Sequence, residues 1–204
     1  MDPGQERIAR LLEDIGHGDR DSVGDLFALV YDELKALAHR QRLRWRGAHS
    51  LNTTALVHEV YVKLVGRAQV GASDRAHFRA LASRAMRHVL CNHAREAAAE
   101  KRGGARRREG LEVEILADPR PGIGGREADL AALGEALSQL ERTRPRASRV
   151  VECRFFGGMT VEETALAIGA SERSVKRDWA MAQAWLHRTL EGQGDPAGED
   201  GDAR

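Results

Sequence analysis

Ser171, Glu172, Arg173, Ser174, Lys176 and Arg177 form a short polar run between apolar positions. Arginine and lysine in such a run pair with phosphates or read guanine edges. Serine and glutamate reach other groups in a major groove. A second set lies upstream, where Arg84, Arg87 and Arg95 alternate with His88, Asn92 and His93. Guanidinium groups can track a sugar–phosphate backbone, while histidine and asparagine hydrogen-bond base edges. The basic character is local. From Arg75 to Arg108 there are ten Lys/Arg against two acids, a charge of +8 in a chain whose net charge is +1. That asymmetry points to a polyanion at one place, although a solvated helix face followed by a basic linker has the same charge.

Other chemistries find less support. His58-Glu59 begins like H-E-x-x-H, but Val62 stands where the second histidine belongs. His88, Cys91 and His93 lie close in sequence, yet a zinc site needs about four ligands and no second pair follows. There is no P-loop, G-x-G-x-x-G or G-x-S-x-G. The sequence therefore predicts no catalytic residue, metal, cofactor or small-molecule substrate. No apolar run approaches the ~20 residues of a membrane span, and the N-terminus lacks a signal-peptide stretch. With two cysteines far apart, a cytoplasmic chain with reduced thiols is expected.

The elements that must carry these residues are helices. Alanine, leucine, arginine and glutamate dominate, and aromatics make up only 4%, which favours helix over strand. Ile8, Leu11, Leu12 and Ile15 mark a first helix over 5–15. Leu26, Val30, Leu34, Leu37 and Ala38 mark a second over 22–45. A third starts near Asn52-Thr53-Thr54 with Leu56, Val57, Val60 and Leu64. A fourth runs from Ser73 to Glu100, with Leu81, Ala85, Val89 and His88 on its inner face. Six glycines, Pro119 and Pro121 between 101 and 126 predict a flexible tether, basic first and acidic later.

Beyond the tether, Leu130, Leu133, Leu137 and Leu140 mark another helix, with Gly134 an outlier inside it. Pro145 fits the first turn of the next. Thr160 and Glu163 have the spacing of a capping box. Gly169 permits a tight turn, and Ser171 can cap a last helix whose Val175 and Trp179 face inward. A short helix, a glycine turn and a longer helix with a basic outer face is the pattern of a helix-turn-helix. The expected fold is all-α: two small helical domains, 5–100 and 127–191, joined by a flexible linker over 101–126. The second is a four-helix helix-turn-helix domain, and an acidic disordered tail covers 192–204. Two separate interiors and a solvent-facing arginine-rich helix are part of that expectation.

Three segments, in order, resemble one family. FFGGMTVEETALAIGASERSVKRDWAMAQAWL is similar to the C-terminal promoter-reading domain of ECF (extracytoplasmic function) sigma factors. TALVHEVYVKLV (54–65) resembles the N-terminal helix that docks on the polymerase clamp. HFRALASRAMRHVLCNHAREAAAEKR (77–102) resembles the segment that melts and reads the −10 element. The resemblance implies −35 contacts from Ser171, Glu172, Arg173, Ser174, Lys176 and Arg177. It implies −10 contacts from Arg84, Arg87, His88, Asn92, His93 and Arg95. It implies core-polymerase contacts from Leu56, Val57, Glu59, Val60, Tyr61 and Lys63. The partners it implies are core RNA polymerase, through the largest-subunit clamp and the flap, and promoter DNA, with an anti-sigma factor as a further candidate. The acidic part of the linker would then lie in the RNA exit path.

The sequence departs from the family pattern at two places. Ala180, Met181 and Gln183 stand where many members carry arginine, and His88 stands where many carry asparagine. The competing reading is a stand-alone helix-turn-helix regulator. It accounts for the second domain but not for the basic fourth helix or the 54–65 segment.

Overall fold

The computed structural model describes residues 3–19, 21–45, 52–65, 75–100 and 127–191. The predicted tether over 101–126, the acidic tail and the Ser73 cap lie outside these residues. Among the described residues every regular element is helical, as the composition predicts.

Four helices form the N-terminal half: α1 (Pro3–Gly16), α2 (Asp21–Arg44), α3 (Thr53–Val65) and α4 (Arg75–Glu100). Ile8, Leu11, Leu12 and Ile15 of α1 are all buried, as their spacing requires. Asp19 starts α2: its carboxylate accepts the Asp21 amide at 2.9 Å and the Ser22 hydroxyl at 2.7 Å. These bonds hold Asp19 below the usual carboxylate range. The Asn52 side-chain oxygen accepts the Ala55 amide at 2.8 Å and so caps α3.

The C-terminal half comprises α5 (Glu127–Thr143), α6 (Pro145–Val151), α7 (Val161–Ile168) and α8 (Glu172–Glu191). Pro145 opens α6, where its missing N–H costs nothing. A single π-helical turn, Glu152–Phe156, continues α6. It ends with the Gly157 amide donating to the Glu152 carbonyl at 2.9 Å.

The two halves are not separately cored. One apolar cluster runs from Ile8 and Leu34 through Met86 and Cys91 to Leu137, Phe155 and Leu186. A smaller cluster, Val150, Ala165 and Val175, lies within the C-terminal half. The centre of the assembly is α4, which packs against α3 on one side and against α5, the π turn and α7 on the other. Its buried residues lie on more than one face of the helix: Phe78, Ala82, Ala85, Met86, Val89, Leu90, Cys91 and Ala94. The stripe of His77, Leu81, Arg84, His88, Asn92 and Arg95 carries none of them. This corrects the single inner face expected from sequence and, for Arg87, the solvent-facing position.

Two glycines allow the halves to approach. A Cβ on Gly134 would lie 2.7 Å from the Cβ of Cys91, and one on Gly157 would lie 2.1 Å from the Ser83 hydroxyl. Neither position could hold a side chain without the helices moving apart. The π turn adds polar contacts. The carbonyls of its last two residues, Phe155 and Phe156, lie at a helix C-terminus, where intrahelical donors run out. The Gln41 side-chain amide donates to the carbonyls of Phe155 at 3.0 Å and Phe156 at 2.9 Å, and Arg44 donates to Phe155 at 2.8 Å. The Arg44 guanidinium also lies over the Phe155 ring, 4.4 Å from its centre. Burial lowers its pKa from the usual arginine value. The negative end of the helix dipole favours a cation there.

Candidate nucleic-acid interface

The helix-turn-helix is built by local bonds that the sequence announced. The Glu163 amide donates to the Thr160 hydroxyl at 3.1 Å, and the Thr160 amide donates to the Glu163 carboxylate at 2.8 Å. Gly169 ends α7 with φ +64°, a left-handed conformation that glycine adopts without strain. Its amide returns to the end of α7, and Ala170 donates to the Ala165 carbonyl at 2.9 Å. The Ser171 hydroxyl then accepts the Ser174 amide at 3.2 Å, capping α8. Val175 is fully buried behind it, and Trp179 is partly buried.

These caps fix which face of α8 turns outward. Ser171, Glu172, Arg173, Lys176 and Arg177 are exposed, and Ser174 is half-buried. Lys176 lies 3.4 Å from Glu172 one turn earlier, a weak surface pair that a phosphate could replace. Asp178 is turned inward and held by the Arg146 guanidinium of α6 through both carboxylate oxygens. That bond raises the Arg146 pKa. Asp178 thus takes one acid off the outer face and ties α8 to α6.

The upstream set divides. Arg87 is only 2% exposed. Its guanidinium lies 2.8 Å from Glu141 of α5, 2.8 Å from Glu152 of the π turn and 3.3 Å from the Ser148 hydroxyl of α6. Arg84 pairs with the other oxygen of Glu141 at 2.6 Å. One ligand atom each from His88, Glu141 and Glu152 fall within 4.8 Å of one another. The two guanidiniums already balance both carboxylates there, so the group is an ion-pair network. One turn nearer the start of α4, Arg79 bridges Glu33 of α2 at 3.0 Å and Glu163 of α7. Asn92, His93 and Arg95 lie beyond this contact. Arg95 is exposed, and His93 Nε2 sits 2.9 Å from both carboxylate oxygens of Glu59.

The two acids of the network are shifted in opposite directions. Burial would raise Glu141, but the hydrogen bond and charge of Arg87, with Arg84 nearby, hold it below its usual value. Burial pushes Glu152 up to about 7 despite Arg87 and Arg84. The short approach of Arg87 to Glu152 lacks a hydrogen bond's alignment, so desolvation wins. Burial likewise pushes both thiols, Cys91 and Cys153, to about 12.

Of the docking set, Leu56, Val57 and Val60 are 0% exposed. They are core, and this corrects their assignment to a partner surface. Tyr61 is half-buried, with its ring 4.1 Å from that of Phe27. Glu59 and Lys63 are half-buried, and Val62 is 67% exposed. The outer face of α3 is therefore His58, Tyr61 and Val62, beside Phe27 of α2.

A family model for ECF sigma factors matches residues 5–192, nearly all of the chain. The chain belongs to the ECF sigma factor family. No curated protein matches it. As a member of that family it has a sigma factor's role in transcription initiation, with core RNA polymerase and promoter DNA as partners. None of its helices, among the described residues, is long and apolar enough to cross a membrane. Sequence reasoning about this sigma factor missed Gln41, Arg44, Glu141 and Glu152. The signals were present: a glycine inside a helix at 134, and an acid inside the apolar run VVECRFF.

Proposed function

We propose that this sigma factor directs core RNA polymerase to promoters by reading the −35 element with α8 and the −10 element with α4. The observation that carries the first half is the exposed run Arg173, Lys176 and Arg177 on a doubly capped helix-turn-helix. Arginine and lysine there can hold phosphates or guanine edges, while Ser171, Glu172 and Ser174 set the register at the helix start. Arg84, His88, Asn92, His93 and Arg95 form the accessible part of the −10 set, with the guanidiniums on the strand backbone and the histidines and Asn92 at base edges; Arg87, 2% exposed, could join them only by leaving Glu141 and Glu152.

Docking on the largest-subunit clamp falls to the outer face of α3, where Tyr61, Val62, Glu59 and Lys63 give an apolar centre with a charged rim. The flap is the partner of the C-terminal half. An anti-sigma factor would compete for the same surfaces, and the site of action is the cytoplasm. The test is transcription in vitro from genomic fragments with core polymerase. The protein should confer promoter-specific starts, and replacing Arg173, Lys176 and Arg177 together by alanine should abolish −35 dependence while leaving polymerase binding intact. Starts that ignore the −35 sequence in the wild type would defeat the reading.

A further inference from the structure

We infer that Glu59 is a positioning residue for −10 recognition: it fixes the His93 ring so that Nδ1 takes the exocyclic amino group of an unpaired adenine or cytosine. The inference rests on the −10 assignment of α4 proposed above, and it gives one residue of that set a partner and a class of base.

Burial of Leu56, Val57 and Val60 seats α3 against α2 and α4. Glu59 thereby comes to the edge of the contact, with both carboxylate oxygens 2.9 Å from His93 Nε2. An ionised carboxylate has no hydrogen to give, so Nε2 carries the hydrogen and donates it. In the neutral imidazole the other nitrogen then holds a lone pair. Nδ1 is therefore an acceptor, and the ring cannot turn over without giving up Glu59. Both oxygens of Glu59 are engaged in this way, so its effect on a base passes through His93.

The neighbourhood of Nδ1 selects what it accepts. Glu96, three positions on in α4, places a carboxylate oxygen 4.0 Å away, beyond hydrogen-bond distance. Two acceptors side by side suit a group with two hydrogens to give. The amino groups of adenine and cytosine are such groups, whereas guanine and thymine carry a carbonyl in the same place and are repelled. The side chains of His93 and Glu96 are 28% and 72% exposed, so a base can reach this edge. The helix proposed to dock on polymerase and the helix proposed to read the strand meet in this pair.

The test uses holoenzyme made at saturating core polymerase and promoter DNA altered in the non-template −10 strand. One position at a time, purine replaces adenine, or the analogue with hydrogen in place of the amino group replaces cytosine. Loss of the amino group should weaken wild-type binding by about ten-fold at one position. Glu59→Ala should shrink that penalty to about two-fold or less, and in a His93→Ala background it should change nothing. Glu59→Gln, whose amide oxygen still accepts from Nε2, should keep most of the penalty. The readout is a ratio between two DNAs on one holoenzyme, so weaker polymerase binding does not imitate it.

A Glu59→Ala protein that keeps the full penalty would overturn the inference, as would one in which the penalty shifts equally with and without His93. Nitrogen NMR of the free protein gives a second measurement that needs no polymerase. Neutral His93 should carry its hydrogen on Nε2, and a hydrogen on Nδ1 would rule the inference out. Wild-type holoenzyme that starts at its promoter yet shows no amino-group penalty at any position would end this inference alone. A protein that confers no promoter-specific start would instead sink the −10 reading beneath it.

Discussion

The Arg87 guanidinium approaches Glu152 to 2.8 Å at the centre of the molecule, yet burial keeps that carboxyl near pKa 7. The pair is close without being aligned, and its neighbour Glu141 takes the better bonds. One guanidinium therefore serves two acids whose proton affinities are shifted in opposite directions.

Stability should fall as pH rises between about 4.5 and about 7. Glu152 has a folded pKa above its ordinary value of 4.5, so the folded chain binds its proton more tightly than the unfolded chain does. Its contribution is fully present below the unfolded value and is lost as pH rises through the folded one. Glu141 acts in the opposite sense at lower pH, because its folded pKa is depressed. Urea unfolding across this window, compared with Glu152→Gln, checks the sign. The variant should lose the decline, and an unchanged slope would show that another group is responsible.

Alanine at Arg173, Lys176 or Arg177 should leave folding within about 0.5 kcal/mol of wild type, since all three are exposed. Each that holds a phosphate should reduce the salt dependence of promoter binding by roughly 0.9 in log–log slope. Holoenzyme affinity measured across a salt series reads this directly.

Thr160→Ala should destabilise the chain by about 1 kcal/mol, through loss of the hydroxyl that accepts the Glu163 amide. Glu163 would keep Arg79 as its partner. A double cycle with Arg79→Ala should therefore show coupling between the cap and the bridge, as expected for residues in one network.

Val62→Glu should weaken co-purification with core polymerase without a change in the unfolding curve, because Val62 is 67% exposed. Val60→Glu should instead unfold the N-terminal helices, because it buries an unpaired charge. Equal polymerase binding by wild type and Val62→Glu would remove the outer face of α3 from the docking surface.

Local order was legible in the sequence. Thr160, Glu163, Gly169 and Ser171 specify a cap, a turn and a second cap within twelve positions, and the structure forms all three. Ile8, Leu11, Leu12 and Ile15 specify a one-sided helix in the same way. The arrangement around α4 was not legible, because Arg84 and Arg87 carry charge and charge reads as surface. Their partners Glu141 and Glu152 lie more than fifty positions away, and no periodicity links them. Val57 and Val60 misled for the converse reason: an apolar residue on a docking helix looks the same whether it faces a core or a partner.

The bond from Gln41 to the Phe155 carbonyl spans 114 positions. During synthesis α2 and α4 leave the ribosome long before the π turn exists, so Ser83 and Cys91 emerge with no counterpart to meet them. Closure of the newborn chain must wait until the π turn has been made, and contacts so distant along the polymer form slowly. For that interval α4 stands open, and whatever encounters the nascent chain first meets its bare side.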